Sequence, residues 1–353
     1  MPEEQDTAWV LHVDLDEFIA AVEVLRHPEL SGVPVVVGGR GDPTQRGVVS
    51  TASYAAREFG VGSGMPLRTA ARKCPQAVFL PVDGPAYEEA SRQVMDVLRS
   101  FGHVLEVMGW DEAFLAVRTA DPRGSAKRVQ TAVLERTGLH CSVGIGDNKL
   151  RAKIATGFGK PRGTFVLTDA NWFPVMADRP TDALWGIGRK TAKRLGTLGL
   201  TTVGQLALAD PHELADRLGP TMGPWYRRLA RGIDTSPVDG TPYVARGHSR
   251  ETTFQQDLSV WDDVVAELRR LSEQVTADLR TAGRPAVRVA IKVRYTPFET
   301  RTRSLTLGSP TSDPAEIALA VTELATRLDS SRAVRLLGVR LELASAADEA
   351  PKP

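Results

Sequence analysis

The sequence predicts an α+β chain built from several domains, and three observations carry that expectation. Short apolar runs rich in Val, of strand rather than helix length, alternate with helical stretches over the first half of the 353 residues. Near residue 169 the pattern turns to short helices alone. After a Pro/Gly/Asp segment at 236–244, longer strands and helices return. A chain of this length can form two or three cores.

The elements follow in order. Residues 9–13 read as a buried strand ending in Asp14 and Asp16, and a helical pattern runs on through Ala20, Val22 and Glu23. Residues 32–39 read as a strand, 40–47 as a loop, 48–51 as a strand and 52–59 as a helix, with a glycine-rich turn at 60–66. Helical segments follow near 67–73 and 85–101. A hairpin spans about 104–118, then come a helix near 121–137, a strand at 140–146, a basic helix at 148–155 and a turn at 159–163. With 21–79 set aside as an insertion after the first strand, the rhythm is β-α-β-β-α-β, the order of a ferredoxin-like fold. Beyond 245 the pattern predicts helices at 260–282 and 313–328, and strands at 286–295, 300–307 and 334–343. The tail 345–353 is expected to be disordered.

The hairpin tip is chemically odd. In Val107-Met108-Gly109-Trp110-Asp111-Glu112-Ala113-Phe114-Leu115 two adjacent carboxylates sit between apolar strand residues. Burying a hairpin asks for no acids there, and unpaired carboxylates are costly to bury. An ordinary solvated acidic turn is the plain alternative. Asp14, at the end of the first strand, changes the balance. Three carboxylates from neighbouring strand ends make an oxygen-rich site for hard divalent cations such as Mg²⁺. Asp14, Asp111 and Glu112 are therefore the candidate metal site, and two ions held there suit phosphoryl chemistry.

Composition narrows the class. Net charge is +1 and no part of the chain is strongly basic, so any nucleic-acid contact must come from oriented patches. No apolar run reaches the roughly 18 residues of a membrane span, and the acidic start Met1-Pro2-Glu3-Glu4-Gln5-Asp6 lacks a signal-peptide pattern. Cys74 and Cys141 have no paired spacing, which fits small core residues in a reducing cytoplasm. The six histidines, His12 among them, have no ligand spacing and read as packing or surface.

Two patches could track phosphates. Residues 184–200 have the form of a helix-hairpin-helix: Gly186 and Gly188 permit a tight turn, and Arg189, Lys190 and Thr191 open the helix after it. The fragment is too short for a P-loop, and a plain αα-hairpin remains the alternative. Arg288, Lys292 and Arg294 alternate along one strand, Arg301 and Arg303 along the next. That spacing puts the cations on one sheet face, either a phosphate-tracking or a merely solvated one.

Together the motifs Val13-Asp14-Leu15-Asp16-Glu17-Phe18, Thr51-Ala52-Ser53-Tyr54-Ala55-Ala56-Arg57-Glu58-Phe59-Gly60-Val61, Trp110-Asp111-Glu112-Ala113-Phe114-Leu115, Ser142-Val143-Gly144-Ile145-Gly146-Asp147-Asn148-Lys149 and Lys160-Pro161-Arg162-Gly163 closely resemble the Y-family translesion DNA polymerases, in the polymerase IV branch. The resemblance covers about 9–343. It implies a right-hand polymerase: a ferredoxin-like palm (1–20 and 80–168), small fingers (21–79), a helix-hairpin-helix thumb (169–235), a linker (236–244) and an α/β little finger (245–344). It implies two Mg²⁺ ions, with Mn²⁺ able to substitute, on Asp14, Asp111, Glu112 and the backbone carbonyl of Leu15. Thr51, Tyr54, Arg57 and Lys160 fall where the family grips the nucleotide triphosphate. Partners implied are primer-template DNA and dNTPs, for a monomer without a membrane.

The chain departs from the family pattern at several points. The family usually has two aromatics after the first acidic motif, the second a steric gate under the sugar. Here Phe18 is followed by Ile19, which leaves more room for a 2′-hydroxyl and predicts weak discrimination against rNTPs. Gly109 stands where Ser is usual, Trp110 exceeds the usual small aliphatic, and Gly157 replaces an acid. The tail has no Gln-plus-hydrophobic peptide for a sliding clamp. Two other readings stay open on sequence alone: a nucleotide cyclase on a similar palm, and a non-catalytic DNA-binding accessory protein.

Overall fold

The computed structural model describes residues 6–344, so the expectations about the tail 345–353 and its clamp peptide lie outside the described residues. The chain forms two compact units. One holds the chain through Asp42 together with Gly47–Pro242, the other Pro43–Arg46 and the chain from Tyr243 on.

The first unit begins with β1 (Thr7–Leu15), α1 (Phe18–Arg26), β2 (Val35–Val37), β3 (Thr51–Ala52), α2 (Tyr54–Glu58), α3 (Leu67–Lys73) and β4 (Val78–Leu80). It continues with α4 (Gly84–Arg99), β5 (Val104–Val107), β6 (Glu112–Thr119), α5 (Pro122–Thr137), β7 (Cys141–Gly146), α6 (Lys149–Gly159) and β8 (Thr164–Leu167). The main sheet has the order β5-β6-β1-β7-β8. Each neighbouring pair among β5, β6, β1 and β7 is antiparallel, as a ferredoxin-like fold requires, and β8 is added parallel to β7. Asp83, Asp121 and Asn148 start α4, α5 and α6 by accepting from the backbone N–H groups of Ala86, Gly124 and Arg151. Each such cap stabilises by about 1 kcal/mol.

The two-residue period of β1 sorts the sheet into faces. Leu11, Val13 and Leu15, with Ala113, Leu115, Val143 and Ile145, enter one core with Val94 and Leu98 of α4 and Val129 and Val133 of α5. Truncating any of these leucines to Ala costs about 2–5 kcal/mol. His12, Asp14, Glu112, Phe114, Ser142 and Gly144 pair across β6, β1 and β7 on the opposite face.

Helix α1 runs across the expected 20/21 boundary, and its Val22 belongs to the same core as β1. The insertion forms a three-stranded sheet, β3-β2-β4, over Val36, Val49, Ala52, Ala56 and Leu67. Its third strand, β4, was not anticipated, and crosses the expected 79/80 boundary.

Helices α7 (Trp172–Met176), α8 (Arg189–Gly196), α9 (Val203–Leu208), α10 (Pro211–Leu218) and α11 (Met222–Ala230) follow. Trp172, Leu184, Ile187, Leu195, Leu206, Leu214 and Leu229 close their core. The start of the expected linker is anchored rather than free. Glu106 accepts from the backbone N–H of Asp239 at 2.8 Å and from Lys149 at 2.7 Å.

The second unit contains β9 (Gly247–Leu258), α12 (Trp261–Ala282), β10 (Ala286–Tyr295), β11 (Glu299–Thr311), α13 (Pro314–Ala325) and β12 (Val334–Leu343). The sheet order is β11-β10-β12-β9. Strand β9, absent from the sequence expectation, is an edge strand exposed along much of its length. Val289, Ile291 and Val293 pack under α12 and α13 with Leu268, Val275, Ile317 and Val321.

The register corrects one expectation. Arg301 pairs with Val293 and Arg303 with Ile291, whereas Lys292 pairs with Thr302 and Arg294 with Thr300. Directly paired residues share a face. Arg288, Lys292 and Arg294 therefore lie on the open face, while Arg301 and Arg303 lie on the helix-covered side, exposed because β11 is an edge. The five cations do not form one surface. On the open face Lys292 pairs with Glu251 at 2.8 Å and Arg288 with Glu342 at 3.7 Å.

Candidate active site

The end of β1 and the start of β6 bring the acids together. Asp14 lies opposite Glu112 in the sheet register, and the N–H of Leu15 donates to the carbonyl of Asp111 at 2.9 Å. The hairpin is closed by Met108 N–H donating to the Glu112 carbonyl at 3.0 Å. Burial raises the Asp111 carboxyl above its ordinary range, and the negative charges of Asp14 and Glu112 add to the rise. Electrostatically the three acids are one cluster.

Lysines hold the other two acids. Lys160 pairs with Asp14 Oδ1 and Lys153 with Glu112 Oε2. A hydrogen bond from His12 holds the Glu112 carboxyl down to about 2, with Lys153 assisting. Among the described residues, no three His, Cys, Asp or Glu side chains form a ready-made metal-binding group. The donor set nonetheless fits hard cations: it is all oxygen, and Asp111 carries charge its neighbours repel.

Asp16 has a different task. It is 2% exposed, accepts from Ser142 Oγ at 2.9 Å, from the Tyr54 hydroxyl at 2.7 Å and from Arg162 N–H at 2.9 Å. It thus ties the insertion and the Lys160-Pro161-Arg162 turn to the strand that carries Asp14. Glu17, at φ +46, accepts from the Tyr54 N–H. Burial and these acids push the Tyr54 hydroxyl well up, so it stays protonated and donates. Arg57 lies over the Tyr54 ring, 4.9 Å from its centroid, and its Nε donates to the Ala52 carbonyl at 2.9 Å. Thr51, in β3, is half-buried. Phe18 is buried in the core under β1, and Ile19 packs partly against it.

The sequence predicts a basic helix at α6, yet its first cations point inward. Lys149 and Arg151 are buried and ion-paired, to Glu106 and to Asp147 and Asp169. Farther along, Lys153 reaches Glu112 and Thr156 reaches His12. Lys153 also lies 5.5 Å from the centroid of Trp185, in the turn before α8. That turn carries Gly186 at φ +101, where a Cβ would meet Trp225 at 2.8 Å. Gly188 caps α8, and Arg189 and Lys190 are exposed at its start, with Thr191 half-buried.

The chain matches the impB/mucB/samB family over residues 13–157 and that family's C-terminal domain over 245–350. It is 48% identical over 340 residues to DNA polymerase IV 2 of Mycobacterium tuberculosis, covering 95% of this chain and 98% of that one. The chain belongs to the Y-family DNA polymerases, in the polymerase IV branch. DNA polymerase IV of Methanoculleus marisnigri is 42% identical, covering 95% of this chain and 94% of that one. Among solved structures, a Y-family DNA polymerase chimera of Dbh and Dpo4 superposes with TM-score 0.83 at 25% identity, covering 95% of this chain and 98% of that one. An insertion ternary complex of Dbh DNA polymerase gives 0.64 at 26%, with 95% and 98% covered.

The polymerase is thus a DNA-directed DNA polymerase of the translesion class, which retires the cyclase and accessory-protein readings. Among the described residues no helix of the polymerase is long and apolar enough to cross a membrane. Sequence reasoning missed His12, Lys153 and Thr156. For His12 a signal existed: it stands two residues before Asp14, hence on the same strand face. At Gly109 and Gly157 a Cβ would meet little or nothing, and nothing in the structure explains the small residue at either position. Trp110 is 42% exposed, its ring 6.5 Å from that of Tyr87.

Proposed function

We propose that the polymerase copies damaged as well as intact templates by metal-assisted nucleotidyl transfer at Asp14, Asp111 and Glu112. The observation that carries this is the convergence of three carboxylates on the strand ends, with Asp111 raised by burial and then by the charge of the other two. Two Mg²⁺ ions, or Mn²⁺ in their place, would supply a polarised primer 3′-oxygen and neutralise charge on the leaving pyrophosphate. Asp14, Asp111 and Glu112, with the Leu15 carbonyl, would hold those ions. Lys160, paired with Asp14, turns to the triphosphate when a cation takes that carboxylate, while Lys153 keeps its hold on Glu112 Oε2.

Tyr54, Arg57, Lys160 and Thr51 bind the triphosphate of the incoming dNTP. Their hydroxyls and cations oppose charge developing on the transferring phosphoryl group. The primer oxygen attacks the α-phosphorus, the bond to the bridging oxygen breaks, and pyrophosphate departs. The backbone at Gly186 and Gly188 with Arg189, Lys190 and Thr191, and separately the open-face cations Arg288, Lys292 and Arg294, contact DNA phosphates without reading sequence. Arg301 and Arg303 contact phosphate from the other side of the sheet edge. The small residues of the insertion leave a roomy pocket, and Ile19 leaves space under the sugar, so rNTPs enter more readily than an aromatic gate would permit.

The test is primer extension opposite intact and lesion-bearing templates, with Mg²⁺ and then with a chelator. Extension on both templates, stopped by the chelator, supports the reading. Absence of extension under Mg²⁺ and under Mn²⁺ defeats it.

A further inference from the structure

Among the described residues, His12 is the one histidine buried beside the acids. It is 1% exposed, its ring tilted against Phe114 with centroids 4.7 Å apart. Each ring nitrogen has a partner. Nδ1 lies 2.7 Å from the Thr156 hydroxyl, and Nε2 lies 3.3 Å from Glu112 Oε2. A carboxylate can only accept, so a proton on Nε2 suits that contact, and the Thr156 hydroxyl then donates to Nδ1. Lys153 reaches the same carboxylate oxygen, Oε2, and stands 3.3 Å from Nε2. Both grips fall on Oε2, which leaves Oε1 as the oxygen available to a cation.

We infer that His12, its tautomer set by Thr156, is a positioning residue that orients Glu112 to bind a divalent cation through Oε1 alone. The inference rests on the reading of Glu112 as a metal ligand given above. Partners of this kind, standing behind a ligating carboxylate, change metal affinity or activity by about 10–100-fold when removed. Thr156 also stands 3.1 Å from the Ala152 carbonyl and 3.2 Å from that of His12. A competing arrangement follows: Thr156 donates to a carbonyl, Nδ1 carries the proton, and Lys153 donates to Nε2. In that arrangement His12 would not hold Glu112 at all.

The test uses the full chain and Mn²⁺ alone as the probe, its dissociation constant read by electron paramagnetic resonance. Wild type is compared with His12→Phe, Thr156→Val and Thr156→Ser, and each is also assayed for single-nucleotide incorporation. His12→Phe and Thr156→Val are expected to weaken Mn²⁺ binding about tenfold and to lower kcat while the KM for dNTP stays within about twofold. Thr156→Ser restores the hydroxyl and is expected to restore both values. In wild type, ¹⁵N spectra of the labelled histidine are expected to show the proton on Nε2. Unchanged Mn²⁺ affinity in both variants, a KM effect without a kcat effect, or a proton on Nδ1 each overturns the inference. If His12→Phe does not fold, the Thr156 pair and the wild-type spectrum decide alone. Should wild type extend no primer, the polymerase reading fails, while the Mn²⁺ affinities still judge His12 independently.

Discussion

The backbone of Gly144 lies so close to that of Ala152 that a Cβ at Gly144 would stand 2.0 Å from the Ala152 carbonyl oxygen and 2.4 Å from the Thr156 nitrogen. Only glycine lets α6 rest directly on β7. That contact carries Thr156 to His12 and Lys153 to Glu112, so a packing detail sets the chemistry of the site. Gly144→Ala must push the helix away, at about 1–3 kcal/mol for overpacking. The expected outcome is a lower midpoint in urea and a kcat reduced more than the DNA affinity, checked by denaturation and by single-turnover kinetics.

Asp111 is held at a cost. Its carboxyl is raised by burial and by two negative neighbours, so its ionised form destabilises the metal-free fold at neutral pH. Asp111→Asn is therefore expected to raise Tm of the metal-free protein, on the scale of about 2–4 °C for roughly 1 kcal/mol, while activity is lost. Calorimetry in chelator checks the first half, and a Tm that falls contradicts it.

Glu112 behaves in the opposite sense. Its carboxyl lies at about 2 in the fold against an ordinary value of 4.5, chiefly through the His12 hydrogen bond. Below 4.5 the unfolded chain binds this proton first, so the contribution of Glu112 is complete above that value and is lost as pH falls towards about 2. Urea midpoints of metal-free wild type and Glu112→Gln are expected to converge as pH drops through this window. Parallel curves would refute the assignment.

At Ile19 the expected change is in sugar choice. Ile19→Tyr should improve discrimination of dNTP over rNTP by on the order of 10–100-fold, the worth of one well-placed steric contact. Steady-state kcat/KM for matched dCTP and rCTP on one template measures it. If wild type already rejects rNTPs and the substitution alters nothing, the open gate is refuted.

How far the sequence could be read depended on whether the deciding information was local. β1 and its acids were legible because a two-residue period and an apolar run are properties of one segment. The pairing of Asp14 with Glu112 joins strands far apart in sequence, and only the chemistry of three acids seeking a shared cation pointed to it. The cations of β10 and β11 were not. Each strand alternates correctly, but the register that sets Arg303 beside Ile291 depends on how two strands meet. Strand β9 escaped because an edge strand needs no buried run. The inward turn of Lys149 and Arg151 escaped because Glu106 and Asp169 are distant in sequence, and the local Asp147 beside Arg151 reads equally as a surface pair. His12 looked like packing because its partners come from β6 and α6.

If Asp14, Asp111 and Glu112 carry the chemistry, removing the two hairpin acids must abolish nucleotidyl transfer without releasing DNA. Wild type and Asp111→Ala/Glu112→Ala would be run side by side in primer extension with Mg²⁺, at equal occupancy of primer-template DNA. Wild type is expected to extend the primer, and the double variant to lose at least roughly a thousandfold with DNA binding retained, the scale of several kcal/mol of lost metal assistance. Extension by the double variant at a rate near that of wild type would contradict it.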